Sequence, residues 1–286
     1  MPRRTFEHEL QDLQEDLLTL GSMVEKAVAK AVEALKRRDL NLSEQVIRDD
    51  YAINGKRFEI EEKCIQLLAT QQPMAGDLRT IIAVLHITVD LERMGDHAEG
   101  IAKINLMIGD EPLIKPLIDI PRMTDLVLTM LRKSLDAFIN HEVEMAKQVC
   151  LDDDGVDALH DQVYRELLTY MLQDPKNINQ ATYLMWVTHN LERIADRSTN
   201  ICERVVFTAT GRMEEIGASR FGRAHLVREV VGDRNDTEAV AIATVDGLRD
   251  RVGDDQRLEF GIGRVDDVTL LIVRLTKFLN CSGGLL

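Results

Sequence analysis

One hexapeptide occurs twice, and that duplication constrains the fold more than any other feature of the chain. Leu91-Glu92-Arg93-Met94-Gly95-Asp96 returns 100 residues later as Leu191-Glu192-Arg193-Ile194-Ala195-Asp196, and Ile101 returns as Ile201. Around each copy the apolar residues step by three and four. The first stripe is Val84, Ile87, Leu91, Met94, Ala98 and Ile101; the second is Leu184, Val187, Leu191, Ile194, Ser198 and Ile201. Steps of three and four mark one face of a helix packed in a bundle, and the fixed offset makes the two halves copies of one helical unit. Upstream, Asp49-Asp50 with Ile53-Asn54 matches Asp153-Asp154 with Val156-Asp157, with the register slipped by about three residues.

Three helices are expected in each copy. Leu10, Leu13, Leu17, Leu20, Val24, Ala27 and Ala31 predict one long helix from Thr5 to Lys36. A second run spans roughly Leu42 to Ala69, and a third opens after Gln72-Pro73 and continues to about Met107. Pro112, Pro116 and Pro121 interrupt helix between Gly109 and Pro121. Three further helices are predicted near Met123 to Asn140, His141 to Leu172 and Ile178 to Ala209, with Asp174-Pro175 punctuating the second half. A helix of about 30 residues runs about 45 Å, so the bundles are elongated. The expected fold is all-α: two tandem three-helix bundles, 5–108 and 122–210, joined by a linker at 109–121 and followed by a short mixed α/β tail at 213–286.

Charge and motif content narrow the function classes. With 35 Lys plus Arg against 49 Asp plus Glu, the formal charge of −14 disfavours nucleic acid and favours cationic partners or metal ions. Among 286 residues, 45% hydrophobic, there is no secretory signal and no 18-residue apolar run, and Cys64, Cys150, Cys202 and Cys281 show no Cys-x-x-Cys spacing. A cytoplasmic protein with reduced thiols is expected. Gly-x-Ser-x-Gly, Walker, Rossmann and His-Glu-x-x-His motifs are absent, so no enzyme activity is expected. Asp157-x-x-His160 occurs once, short of the two Glu-x-x-His motifs of a di-iron bundle. Met74, Met94, Met107, Met171 and Met185 read as core filler.

Residues four apart share a helical face, so Glu92 with Asp96 and Glu192 with Asp196 set two carboxylates side by side. On a helical wheel both pairs fall nearly opposite the apolar stripe and should face outward. Oxygen-rich sites suit hard cations or iron, and a bound metal would relieve the like-charge repulsion. The competing reading is a set of solvated surface acids, each beside Arg93 or Arg193. Further candidates are Asp90 and His97, replaced in the second copy by Asn190 and Arg197, and His189, three residues before Glu192. Asp50 and Asp154 complete the candidate ligands, although with Asp153 and Asp157 they also read as acids opening the middle helices, favoured there as caps and by the helix dipole.

A duplicated three-helix unit with Glu-Arg-x-x-Asp late in each third helix resembles the PhoU family over nearly all of residues 5–210. The resemblance implies a cytoplasmic negative regulator of phosphate uptake and phosphate-starvation signalling. It implies the phosphate transporter's ATPase subunit and a phosphate-sensing histidine kinase as partners, with the membrane reached only through them, and a homodimer is expected. It also implies that the acid pairs ligate multinuclear iron or zinc; manganese and magnesium are further candidates by charge and ligand type. Two rival classes stand beside it: a metal-dependent phosphoester hydrolase, and a metal store or scaffold. In the tail, Phe221-Gly222-Arg223-Ala224-His225-Leu226, a helical stretch around Thr237 to Arg251 and the strand-like Val268 to Val273 after Asp266-Asp267 resemble the closing segment of phosphatases of the protein phosphatase 2C type. Some 70 residues lack that family's earlier strands and aspartates, so a non-catalytic remnant is expected.

Overall fold

The computed structural model describes residues 2–213, 216, 257–265 and 268–276. Two compact units divide the chain, Met1–Arg220 and Phe221–Leu286.

Among its described residues the first unit holds six α-helices: α1 (Pro2–Arg37), α2 (Leu40–Gln71), α3 (Gly76–Ile108), α4 (Asp119–Asn140), α5 (Val143–Gln173) and α6 (Ile178–Thr210). Helices α1, α2 and α3 pack on one another, as do α4, α5 and α6; α3 also lies against α6 and α1 against α4. The duplicated stripes are buried along their whole length. Leu91 and Leu191 have no exposed surface, and burying a leucine contributes roughly 1.5–3 kcal/mol. The buried residues of α2 and α5 also superpose in sequence. Ser43, Val46, Ile53, Ile60 and Cys64 recur 103 residues on as Ala146, Val149, Val156, Val163 and Leu167, the slip of three that Ile53-Asn54 and Val156-Asp157 show in sequence.

Local chemistry explains the boundaries. Asp39 caps α2, its side chain accepting from the Leu42 N–H at 2.9 Å. The helix therefore starts ten residues before Asp50, and α5 starts at Val143, so Asp50, Asp153, Asp154 and Asp157 are mid-helix and not the capping acids expected. His141 takes φ 55° and closes α4 instead of opening α5. Pro73 lies in the connection before Gly76, whereas Pro175 opens a 3-10 turn over Pro175–Asn177. Pro121 falls inside the first turn of α4, where its missing N–H has no intrahelical acceptor. Gly109 ends α3 at φ +65°, a conformation that side chains disfavour. Gln180 fastens the connection that follows, accepting from the Ile114 N–H at 2.5 Å and donating to the Pro112 carbonyl at 3.0 Å.

Met94 is buried and Met171 and Met185 pack against the core, but Met74 and Met107 are 80% and 50% exposed and fill nothing. In the second unit, β1 (Arg257–Val265) pairs antiparallel with β2 (Val268–Thr276), Arg257 opposite Thr276 and Val265 opposite Val268. The helical stretch expected at 237–251, the segment 221–226, and Asp266 and Asp267 lie outside the described residues.

Candidate functional site: two acidic grooves

Because α3 is covered by α1, α2 and α6, and α6 by α3, α4 and α5, little of either helix can face solvent. The acid pairs accordingly sit in grooves, Glu92 and Asp96 where α3 meets α2, Glu192 and Asp196 where α6 meets α5. Asp96 is exposed as expected, but the Glu92 side chain keeps only 14% of its surface and Glu192 and Asp196 are half-buried. A single-helix wheel shows the face opposite one stripe; it does not show a third neighbour closing over that face.

In the first groove the α2 residues Asp50, Asn54 and Arg57 meet the α3 residues Glu92, Asp96 and Glu99. Arg57 Nη1 lies 2.7 Å from Glu92 Oε1 and Arg57 Nε lies 2.8 Å from Glu61 Oε1, so Arg57, not Arg93, neutralises Glu92. Asn54 Nδ2 donates to Asp50 Oδ2 at 2.8 Å, whereas Asp50 Oδ1 is buried and has no partner. Burial first, then the negative charges of Asp96, Glu99 and Glu92, pushes the Asp50 carboxyl up to about 6. Asp96 is raised too, by burial and then by Glu99.

The second groove repeats the plan with different residues. At the offset of 103, Asp153 and Asp157 stand where Asp50 and Asn54 do; Asp154, the residue singled out from sequence, is exposed on the next position round the helix. His189 Nδ1 lies 3.2 Å from Glu192 Oε2, and Arg193 Nη1 donates to Asp196 Oδ2 at 3.1 Å. Burial raises the Glu192 carboxyl, but His189, then His160 and Arg193, outweigh it and hold Glu192 below the usual range. Asp196 is pushed up to about 6 by burial and by Glu192, and Asp157 is raised by burial, Glu192 and Asp154.

Asp90 and His97 belong to neither groove. Both point across the α3–α6 contact, Asp90 Oδ1 to Arg197 Nη1 at 3.3 Å and to Asn200 Nδ2 at 3.3 Å, and His97 Nδ1 to Asn190 Oδ1 at 2.9 Å. Burial raises Asp90 against the pull of Asn200 and Arg197, and burial lowers His97, which is neutral at pH 7. Sequence reading missed Asn54, Arg57 and Glu99 as groove residues. The charge of Glu99 one turn beyond Asp96 was visible; the reach of Arg57 from 35 positions upstream was not.

The donor set fits a hard cation or iron: carboxylate oxygens, one of them buried without a partner, with like charges raising their neighbours. Among the described residues no three His, Cys, Asp or Glu side chains converge closely enough to hold an ion, so occupancy requires side chains to turn and Arg57 to release Glu92.

Comparison with known proteins identifies the repeated unit. The PhoU domain model matches residues 17–104 and again 120–205, one match per copy. The Clostridium acetobutylicum protein named phosphate-specific transport system accessory protein PhoU homolog is 40% identical over 217 residues, covering 76% of this chain and 99% of the relative. Its Aquifex aeolicus namesake is 40% identical over 205 residues, covering 72% and 93%. Among solved structures, PhoU from Pseudomonas aeruginosa has a TM-score of 0.69 at 36% identity, covering 72% of this chain and 100% of that one. PhoU from Streptococcus pneumoniae has a TM-score of 0.68 at 35% identity, covering 73% and 99%. The tail lies beyond both matched segments. Each half of the duplication is therefore a PhoU domain, and the chain belongs to the PhoU family.

Proposed function

We propose that this chain is an accessory regulator of phosphate-specific transport and works by binding, not by catalysis. The observation that carries the reading is coverage: the chain spans 99% and 93% of relatives named for that accessory role, at 40% identity. In the fuller form it is a cytoplasmic homodimer that restrains phosphate uptake and phosphate-starvation signalling by docking on the transporter's ATPase subunit and on a phosphate-sensing histidine kinase. No described helix is long and apolar enough to cross a membrane, which agrees with reaching the transporter through partners. Arg79, Arg93 and Arg193 are proposed to help set partner specificity; of these Arg93 is exposed and Arg193 pairs with Asp196.

The crowded carboxylates of the two grooves support a metal role within that function. Asp50, Glu92 and Asp96 would hold one ion or cluster, and Asp153, Asp157, Glu192 and Asp196 another, with iron, zinc, manganese or magnesium as the candidates. Bound there, the metal would supply positive charge where carboxylates crowd. The tail, 213–286, is proposed to be a non-catalytic phosphatase-like extension.

The test is deletion of the gene with complementation, read by a phosphate-responsive reporter and by recovery of the ATPase and kinase with the tagged protein. Constitutive reporter expression in the deletion, restored by the chain with both partners bound, is expected. Normal phosphate response after deletion would leave a metal store, the reading the acidic grooves favour next. Turnover of phosphoesters by purified protein with manganese or iron would replace binding with hydrolysis.

A further inference from the structure

The outward ridge of α2 carries Tyr51, Phe58 and Ile65 at seven-residue steps, 82%, 61% and 62% exposed. Scattered surface apolar residues are ordinary; three large ones in register on one ridge are not scattered. Between the first two sits Gly55, in the interior of a 32-residue helix, with no atom within 4 Å of where a Cβ would stand. Glycine is unfavourable there relative to alanine, and nothing among the described residues needs the space. A glycine kept open beside aromatic residues suits the close approach of another backbone. The fold does not demand this ridge, because the equivalent positions of α5, 103 residues on, are Asp154, Ala158, Asp161 and the half-buried Leu168.

We infer that this ridge is the contact face between two copies of the chain, with the two α2 helices antiparallel and crossing at Gly55. Charge selects that occupant and that direction. Arg48 lies seven positions before Gly55 and Glu62 seven after, both exposed. Antiparallel pairing about Gly55 brings Arg48 of each copy to Glu62 of the other, twice; parallel pairing sets like beside like. Size agrees as well. Ala52 and Phe58, three positions either side of Gly55, fall opposite each other, small against large, at both ends of the axis. From Arg48 to Glu62 the contact runs about 21 Å. The inference rests on the reading of the chain as a homodimer and gives that dimer its surface.

Sedimentation velocity of the full chain from about 1 to 100 µM tests it. The wild type is expected to dimerise, and Gly55→Leu, whose new side chain meets open space in the monomer, is expected to weaken the dimer at least about tenfold. Arg48→Glu and Glu62→Arg should each weaken it about tenfold, and the two together should restore it to within about threefold. Gly55→Ala should raise the monomer's melting temperature by about 2–4 °C while weakening association, opposite signs that a folding defect would not produce. A dimer whose affinity none of these variants moves overturns the α2 contact and leaves the homodimer standing. A wild type that stays monomeric across the range overturns both.

Discussion

Asp90 Oδ1 lies 3.3 Å from Nη1 of Arg197, and the residues at the same two positions in the exchanged repeats, Asn190 and His97, meet at 2.9 Å. The two contacts are one contact seen from both sides of the pseudo-two-fold that relates the copies, once ionic and once neutral. Their side chains hold α3 antiparallel against α6 at the centre of the helical unit.

That relationship predicts a transplant. Asp90→Ala leaves the Arg197 guanidinium, 17% exposed, without its carboxylate and should cost about 2–4 kcal/mol in urea unfolding. Asp90→Asn with Arg197→His rebuilds on this side the Asn/His pair that the other side already uses. The double variant should recover at least about 1 kcal/mol over Asp90→Asn alone; equal stability of the two would mean that the pair does not act as a unit.

The duplication, the six helices and the buried stripes were legible because α3 and α6 keep one offset and one period throughout. The grooves were half legible. Spacing placed Glu92 beside Asp96, but only packing brings Arg57 and Asp50 to them from α2, and aligning Asp49-Asp50 with Asp153-Asp154, an offset of 104, pointed to Asp154 where the packing offset of 103 puts Asp153. Asp90 and His97 looked like neighbours of the first acid pair because they flank it in sequence; a rotation of 100° per residue turns them to α6 instead. The methionines show the same limit, since apolar character does not separate the buried Met94 from the exposed Met74.

Stability of the metal-free protein should fall as pH rises from about 4 to 6. Asp50 and Asp196 ordinarily titrate at 3.8 and are raised to about 6 in the folded state. Between those values the folded chain holds protons that the unfolded chain has released, so raising pH removes stability, and the loss is complete above the folded value. Solvent screening limits the effect to on the order of 1 kcal/mol per carboxyl. Urea unfolding at pH 5 and pH 7 should show it, and Asp50→Asn with Asp196→Asn should flatten the difference. Because the lowered His97 works in the opposite direction over the same window, the decisive comparison is with the variant: a pH 5 to pH 7 difference that Asp50→Asn with Asp196→Asn leaves unchanged would contradict the raised carboxyls.

A metal ion in the first groove would have to compete with Arg57 for Glu92. Removing the guanidinium with Arg57→Gln leaves the first groove more negative, which should tighten manganese binding there by about tenfold, the effect of one charge a few ångströms away at intermediate dielectric. The same change should lower metal-free stability by about 1 kcal/mol, since Arg57 also pairs with Glu61. Calorimetric titration separates the two effects. Weaker binding in the variant would mean that Arg57 shapes the groove more than it neutralises it.

A single methyl group has changed helices between the two repeats. A Cβ on Gly95 would stand 3.2 Å from both Cδ1 and Cγ2 of Ile53 and 3.3 Å from Asp50 Oδ1. In the second repeat the same place holds Ala195, and the α5 residue facing it is Val156, one carbon smaller than Ile53. Gly95→Ala alone should therefore overpack the α2–α3 contact by about 1–3 kcal/mol, offset by about 1 kcal/mol of helix propensity. Ile53→Val alone should cost about 0.5–1.5 kcal/mol. Together they copy the second repeat, and the double variant should unfold within about 0.5 kcal/mol of the wild type, a coupling of about 1–2 kcal/mol. Simple additivity of the two losses would mean that Gly95 is kept for Asp50, whose buried oxygen an alanine methyl would crowd whatever stands at position 53.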